Sequence, residues 1–336
     1  MKEASFYIRE DDLKVQCQLC PHQCNLSDGM VGICRVRRNV AGQLISENYG
    51  LLTSVHFDPM EKKPLYHFHP GRTILSVGSV GCNMHCSFCQ NCEISQVGVE
   101  EYGYLKEYTT VELVKLAKSV KNNIGIAYTY NEPTVFYEFM YETARSIHSE
   151  GFKNVMITNG FIEKEPLEKL LPFINAFNVD LKSFSEYFYR KQTYSQLEPI
   201  KRTLQIIRSY HKHLEITNLV IPGLNDNERE FTSMVQWIAS ELGHETILHL
   251  SKYFPRYKST QPVTSDQTLL KLYEIASQYL NYVYLGNTSD LQVGNATYCA
   301  NCNTKVIERK QYITDRIGLN LNGSCKFCGN QIVELN

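Results

Sequence analysis

The sequence lacks the marks of a membrane, secreted or nucleic-acid-binding chain. No run approaches the roughly 20 consecutive apolar residues that a membrane span needs. The opening residues, Met1-Lys2-Glu3-Ala4-Ser5-Phe6-Tyr7-Ile8-Arg9-Glu10, are mixed polar and have no apolar core of a signal peptide. Charge of one sign is not in excess: 34 Lys and Arg face 35 Asp and Glu, for a net charge of −1. That removes the electrostatic basis for holding nucleic acid or an anionic membrane. No Gly-x-Gly-x-x-Gly follows the first predicted strand, so dinucleotide binding has no support. Cysteine is missing between Cys92 and Cys299. The chain reads as cytosolic.

What is present is concentrated. The 12 cysteines fall into three sets of four, at 17/20/24/34, 82/86/89/92 and 299/302/325/328. Disulfide frameworks belong to small secreted chains, whereas close-spaced cysteines in a cytosolic protein point to metals. With 336 residues and 43% hydrophobic content, one large catalytic domain with smaller appendages is expected.

From Thr73 the pattern becomes regular. Short β-type runs occur at 73–77, 124–130, 154–158, 176–181, 214–221, 246–250 and 282–285. Amphipathic stretches lie between most of them. Leu113, Leu116, Ala117 and Val120 follow helical spacing behind a Thr109/Glu112 capping box. Phe231, Met234, Val235, Ile238 and Leu242 form a second stripe, and Leu269, Leu272, Tyr273, Ala276 and Leu280 a third. Strands alternating with helices imply βαβ units, a parallel sheet and right-handed crossovers. The expected fold is α/β: a partial (β/α)6-type parallel barrel over 71–290. A Cys-rich segment, 1–70, precedes it and a four-cysteine module, 291–336, follows. In a barrel the chemistry sits on loops at the carboxyl ends of the strands.

The first such loop is Gly81-Cys82-Asn83-Met84-His85-Cys86-Ser87-Phe88-Cys89-Gln90-Asn91-Cys92. A 4Fe–4S cluster normally takes four thiolates; Cys-x3-Cys-x2-Cys supplies three and leaves one iron open. A closed site with Cys92 as fourth ligand is the alternative. This motif, on this loop, resembles the defining motif of the radical S-adenosylmethionine (SAM) superfamily. The resemblance implies that Cys82, Cys86 and Cys89 hold the cluster, that the open iron binds the methionyl amine and carboxylate, and that Phe88 lies against the adenine. Reductive cleavage would then give a 5′-deoxyadenosyl radical that abstracts hydrogen from substrate.

Later strand ends carry further matches. Asn131-Glu132-Pro133 resembles the superfamily's Gly-Gly-Glu-Pro loop, with Tyr130 and Asn131 in place of the glycines; it implies Glu132 and Asn131 near the methionyl amine. Thr158-Asn159-Gly160 and Asp180-Leu181-Lys182 resemble glycyl-radical-enzyme activases, where such residues orient the cofactor carboxylate and ribose. Ile157 stands where those activases have an aspartate. His249, at the sixth strand end, is a further cofactor-side candidate by position, and a structural histidine otherwise. Over nearly the whole chain the sequence is similar to the AmmeMemoRadiSam-system radical enzymes. The matching segments run from Asp58 to Phe68, from Cys89 to Ser95, from Tyr128 to Pro133 and from Tyr282 to Asn287. Cys92 stands where that family is expected to have an aromatic residue.

The outer sets read as metal sites. Cys299-x2-Cys302 and Cys325-x2-Cys328 are two knuckles of a tetrahedral thiolate site, for zinc or rubredoxin-type iron, and a structural staple is expected. Asn303 and Gly329 suit the left-handed turn each knuckle needs. Cys17, Cys20, Cys24 and Cys34 fit a structural zinc or an auxiliary iron–sulfur cluster, which spacing does not separate. The expected function is radical hydrogen abstraction from an unidentified substrate, fed by a flavodoxin- or ferredoxin-type electron donor. An activase-like protein substrate and a Memo-like partner are both open. The rival is a non-catalytic iron–sulfur or zinc electron carrier or metal chaperone. Nucleic-acid binding by the tail has little basis, because few basic residues interleave with aromatics there.

Overall fold

The computed structural model describes residues 1–288 and 293–335. Its centre is one eight-stranded sheet: β1 (Ser54–Pro59), β2 (Thr73–Gly78), β3 (Asn123–Tyr128), β4 (Lys153–Thr158), β5 (Ala176–Asp180), β6 (His213–Val220), β7 (Ile247–Lys252) and β8 (Tyr282–Gly286), adjacent in chain order. β2 to β8 are parallel and β1 pairs antiparallel with β2. Helices α1 (Thr110–Lys118), α2 (Tyr137–Ser149), α3 (Lys164–Leu170), α4 (Leu197–Ser209), α5 (Glu228–Trp237) and α6 (Asp266–Ala276) connect the parallel strands. Six βα units are therefore present, with β8 added as a seventh parallel strand. All six residues of β3 are buried, as expected when helices cover one face of a sheet and its curvature closes the other. Gly125 permits the bulge in β3, since a Cβ there would stand 1.7 Å from the Lys153 carbonyl.

Local chemistry sets the helices. The Thr109 side chain accepts from the Glu112 amide while the Glu112 carboxylate accepts from the Thr109 amide, a complete capping box worth about 1 kcal/mol. In α5 the stripe Phe231, Met234 and Val235 is buried, and it continues through a π-type turn to Ile238 and Leu242. Several boundaries differ from the sequence expectation. The run from 124 ends as a strand at Tyr128, because Tyr130 turns left-handed with φ 74°. Val120 falls beyond the end of α1. Residues 1–70, which show little periodicity, form short antiparallel strands, among them Val15–Cys17, Asn25–Leu26, Arg37–Val40 and Gln43–Ser46. Pairs this short leave too few alternating positions for a period to be read.

The barrel floor is closed by a buried ionic network. Glu215 of β6 accepts from the amides of Tyr66 and His67 and lies 2.9 Å from His213 and 2.6 Å from His249. His67 bonds the Tyr284 hydroxyl and the Ile332 carbonyl. Arg309 donates to Tyr66 O and to Thr297 Oγ1. These bonds fasten the C-terminal strands Thr297–Tyr298, Lys305–Lys310 and Ile313–Asp315 to the amino-terminal side of the barrel, opposite the strand ends that bear chemistry. The boundary expected at 290/291 lies outside the described residues.

This floor predicts a pH dependence. Burial alone would lower the His213 pKa, but its bonds to Glu215 and Glu334 raise it to about 9. A raised histidine stabilises the fold fully below its unfolded value, near 6.5, and that stability fades as pH rises through 9. Unfolding free energy is therefore expected to drop by on the order of 3 kcal/mol between pH 6.5 and 10. Urea titrations of wild type and His213→Gln check this; equal slopes against pH in both proteins would sink the assignment.

Candidate active site

A cavity of about 440 Å³ opens at the carboxyl ends of the strands. Each parallel strand from β2 to β7 contributes to it. Cys82, Cys86, Phe88 and Cys89 come from the loop after β2, and Asn131 and Glu132 from the loop after β3. Thr158 and Asn159 come from the end of β4, Asp180 and Lys182 from the end of β5. Thr217 and Leu219 of β6 and Ser251 of β7 complete the wall. Barrel topology thus brings together residues far apart in sequence.

The loop is held in shape by its neighbours. Asn131 accepts from the Ser79 amide and donates to the carbonyls of Val80 and Gly81, so its amide fixes the turn leading into Cys82. The Asn159 Nδ2 donates to Asn83 Oδ1 at 2.9 Å and lies 3.7 Å from the Cys82 sulfur. Glu132 is buried, and its carboxylate accepts four bonds: from the amide and hydroxyl of Thr134, the hydroxyl of Thr158 and the amide of Asn159. Burial raises its pKa, and the four donors oppose that shift by favouring the ion. Three of the residues expected at the cofactor, Asn131, Thr158 and Glu132, therefore spend their polar atoms largely on one another and on the loop. They are positioning residues that also line the cavity.

The thiols face a different environment. Burial pushes all three upward, Cys82 strongly and Cys86 to about 12, so they are protonated unless a metal takes the proton's place. The Lys182 ammonium acts in the opposite sense on Cys86 and Cys89, which puts a positive charge beside the loop. Lys182 itself bonds Asp180 at 2.7 Å, and although burial disfavours its charge, Asp180 raises its pKa. Phe88 is buried against Phe188, their ring centres 5.7 Å apart. Three thiols on one wall, a cation beside them and an open volume in front form a donor set that fits a cubane with one iron left free.

His249 does not line this cavity. It sits one interior layer below Ser251, bonded to Glu215 and stacked on Tyr284 at 5.5 Å, so it belongs to the floor network. Reading it as a strand-end residue fails because β7 extends to Lys252. Cys92 heads the short helix Cys92–Ser95 and is not among the lining residues. Lys62, Lys63 and Tyr130 do line the cavity, though sequence spacing gave no reason to choose them. Both lysines bond Asp58, which also accepts from the Tyr130 hydroxyl.

Away from the cavity, Cys299, Cys302, Cys325 and Cys328 place their sulfurs all within 4.8 Å of one another. Asn303 and Gly329 adopt the left-handed turn, with φ 54° and 79°. That geometry suits a single tetrahedral ion. Cys325→Ser is expected to remove one metal equivalent and lower the melting temperature while leaving the iron–sulfur absorption intact. Folded Cys325→Ser protein that could no longer cleave SAM would contradict a purely structural role.

A parallel β/α barrel carrying a three-thiol loop at its mouth defines an iron–sulfur enzyme class. The family model of the radical SAM superfamily matches residues 76–237. An uncharacterized protein of Methanocaldococcus jannaschii is 42% identical over 336 residues, covering 99% of each chain. The 4-hydroxyphenylacetate decarboxylase activating enzyme of Clostridium scatologenes is 22% identical over 213 residues, covering 57% of this chain and 64% of that one. Among solved structures, Streptococcus suis SuiB bound to S-adenosylmethionine aligns with a TM-score of 0.52 at 13% identity, covering 68% of this chain and 53% of that one. The chain belongs to the radical SAM superfamily. Membership implies a 4Fe–4S cluster and SAM as its cofactors.

Proposed function

We propose that this protein cleaves SAM reductively at a 4Fe–4S cluster held by Cys82, Cys86 and Cys89, and directs the product radical to hydrogen abstraction from a substrate. The observation that carries this reading is the single cavity onto which all three thiols and the ends of β2 to β7 converge. When bound, the cluster supplies one electron that breaks a carbon–sulfur bond of SAM, releasing methionine and a 5′-deoxyadenosyl radical. Lys182 holds a positive charge for the methionyl carboxylate, since an unpaired buried charge is costly. Asp180, about one third exposed, faces the cavity for the ribose hydroxyls. Asn159 donates toward Cys82, and such bonds tune a ligand sulfur. Phe88 supplies an apolar wall for the adenine.

The particular branch we infer is the AmmeMemoRadiSam system. Its support is the Asp58–Phe68 segment, which resembles that family and delivers Lys62 and Lys63 to the cavity wall. Substrate would then be presented with a Memo-like partner, and the electron would come from a flavodoxin- or ferredoxin-type donor. Activase-type relatives favour a protein substrate as the second reading. Zinc at the C-terminal thiolates and a cytoplasmic location complete the proposal. Among the described residues no helix is long and apolar enough to cross a membrane. Anaerobic protein reduced with dithionite is expected to convert SAM to 5′-deoxyadenosine, followed by chromatography. A folded, iron-loaded protein that makes none would be an electron carrier instead.

A further inference from the structure

The first cysteine set takes no part in the active site, yet it converges. Cys17 closes the strand Val15–Cys17, Cys20 and Cys24 follow in the next loop, and Cys34 precedes Arg37–Val40. All four line one small cavity, together with Leu19, Leu26 and Arg37.

The chain carries its own ruler for what such a set can hold. A single zinc about 2.3 Å from each sulfur draws four thiolates to about 3.8 Å from one another. The C-terminal set has that spacing, with sulfur pairs at 3.5 and 3.7 Å. Among the described residues no other group of His, Cys, Asp or Glu brings three ligand atoms within 4.8 Å of one another. Cys17, Cys20, Cys24 and Cys34 are thus spread around a void, as Cys82, Cys86 and Cys89 are. A four-iron core holds its thiolates at its outer corners, farther apart than a single ion does.

A second observation is independent of spacing. Arg37 is buried, and its two Nη groups are taken by Glu138 and the Ser5 carbonyl. Its Nε is buried with no partner. A buried donor without an acceptor costs about 1–3 kcal/mol, so it calls for one. The sulfurs of a cluster in this cavity are acceptors of the right sign.

The cavity also adjoins the active site. Asn83 lines it, while the flanking Cys82 and Met84 line the larger cavity. Thr134 lines it too and donates twice to Glu132. Gly81, with φ 87°, packs so closely on Cys34 that a Cβ would stand 2.6 Å from its carbonyl oxygen. The same stretch of chain, residues 82–84, thus forms part of the wall of both sites.

We propose that Cys17, Cys20, Cys24 and Cys34 hold a second 4Fe–4S cluster, through which a low-potential one-electron donor reduces the cluster on Cys82, Cys86 and Cys89. The donor loses one electron, the second cluster takes it up and passes it on, and no bond forms or breaks at this site. The inference rests on the reading of the Cys82 loop given above.

Metal counting on the native protein, reconstituted without oxygen, tests the site. About eight irons and one zinc are expected, four irons from each cubane; about four irons with two zincs overturns it. The variant combining Cys82→Ala, Cys86→Ala and Cys89→Ala should keep about four irons and, once reduced, a paramagnetic signal that SAM leaves unchanged. An iron-free variant that has gained zinc overturns it as well. The relay is read from Cys20→Ala with Cys24→Ala: reduced ferredoxin should reduce its remaining cluster at least tenfold more slowly than in wild type, and an unchanged rate overturns the relay. Failure of the function reading looks different: native protein would then have a reduced signal that SAM does not perturb.

Discussion

Alanine at Cys82, Cys86 or Cys89 is expected to abolish SAM cleavage and to remove about four irons per chain, because each change deletes one of only three thiolates on an iron–sulfur core. All three side chains line the same cavity, whereas Cys92, the next cysteine along the loop, does not. Cys92→Ala should keep both the irons and the cleavage. Its residue opens a short helix beyond the loop and does not reach the cavity wall. Iron analysis with 5′-deoxyadenosine chromatography on the four single variants measures both effects. Loss of the cluster in Cys92→Ala would mean four protein thiolates and no open iron, and the cofactor assignment would go with it.

Much of this site was readable before any coordinates because its chemistry is local. Cys82, Cys86 and Cys89 must meet one cluster wherever their loop lies. The strands were readable because β3, β4 and β5 are buried on both faces and appear as apolar runs. What stayed hidden is the work of polar residues on each other. Glu132 meets Asn159 only through the pairing of β3 with β4, and no spacing announces that Asn131 ties Ser79 to Gly81. His249 misled because β7 runs two residues past the expected end at 250, which puts Ser251 at the mouth and leaves His249 on the floor. The sequence does carry one signal of the floor network. Glu215 and Thr217, like His249 and Ser251, alternate as interior polar residues along their strands, which apolar packing alone would not require.

Lys182→Met is expected to weaken SAM binding roughly 10- to 100-fold, with iron content unchanged. A charge-assisted hydrogen bond is worth about 1.5–3 kcal/mol, and each tenfold in affinity is about 1.4 kcal/mol. Methionine keeps the length and most of the packing of lysine. The backbone bonds of residue 182, from its amide to the Tyr189 hydroxyl and from Asn225 to its carbonyl, do not involve the ammonium and should survive. Asp180 loses its partner, but its side chain is 35% exposed and water can replace the bond, so folding should be little affected. What the variant lacks is the positive charge beside Cys86 and Cys89, where the methionyl carboxylate must be paired. Equilibrium dialysis with labelled SAM measures the affinity, and the shift that SAM induces in the reduced cluster's spectrum reports the binding mode. Asp180→Asn separates the two roles: it keeps the Lys182 charge and alters only the group assigned to the ribose, so it should lose less binding than Lys182→Met. Wild-type affinity in Lys182→Met would place the carboxylate elsewhere and leave the Asp180–Lys182 pair as a salt bridge at a strand end.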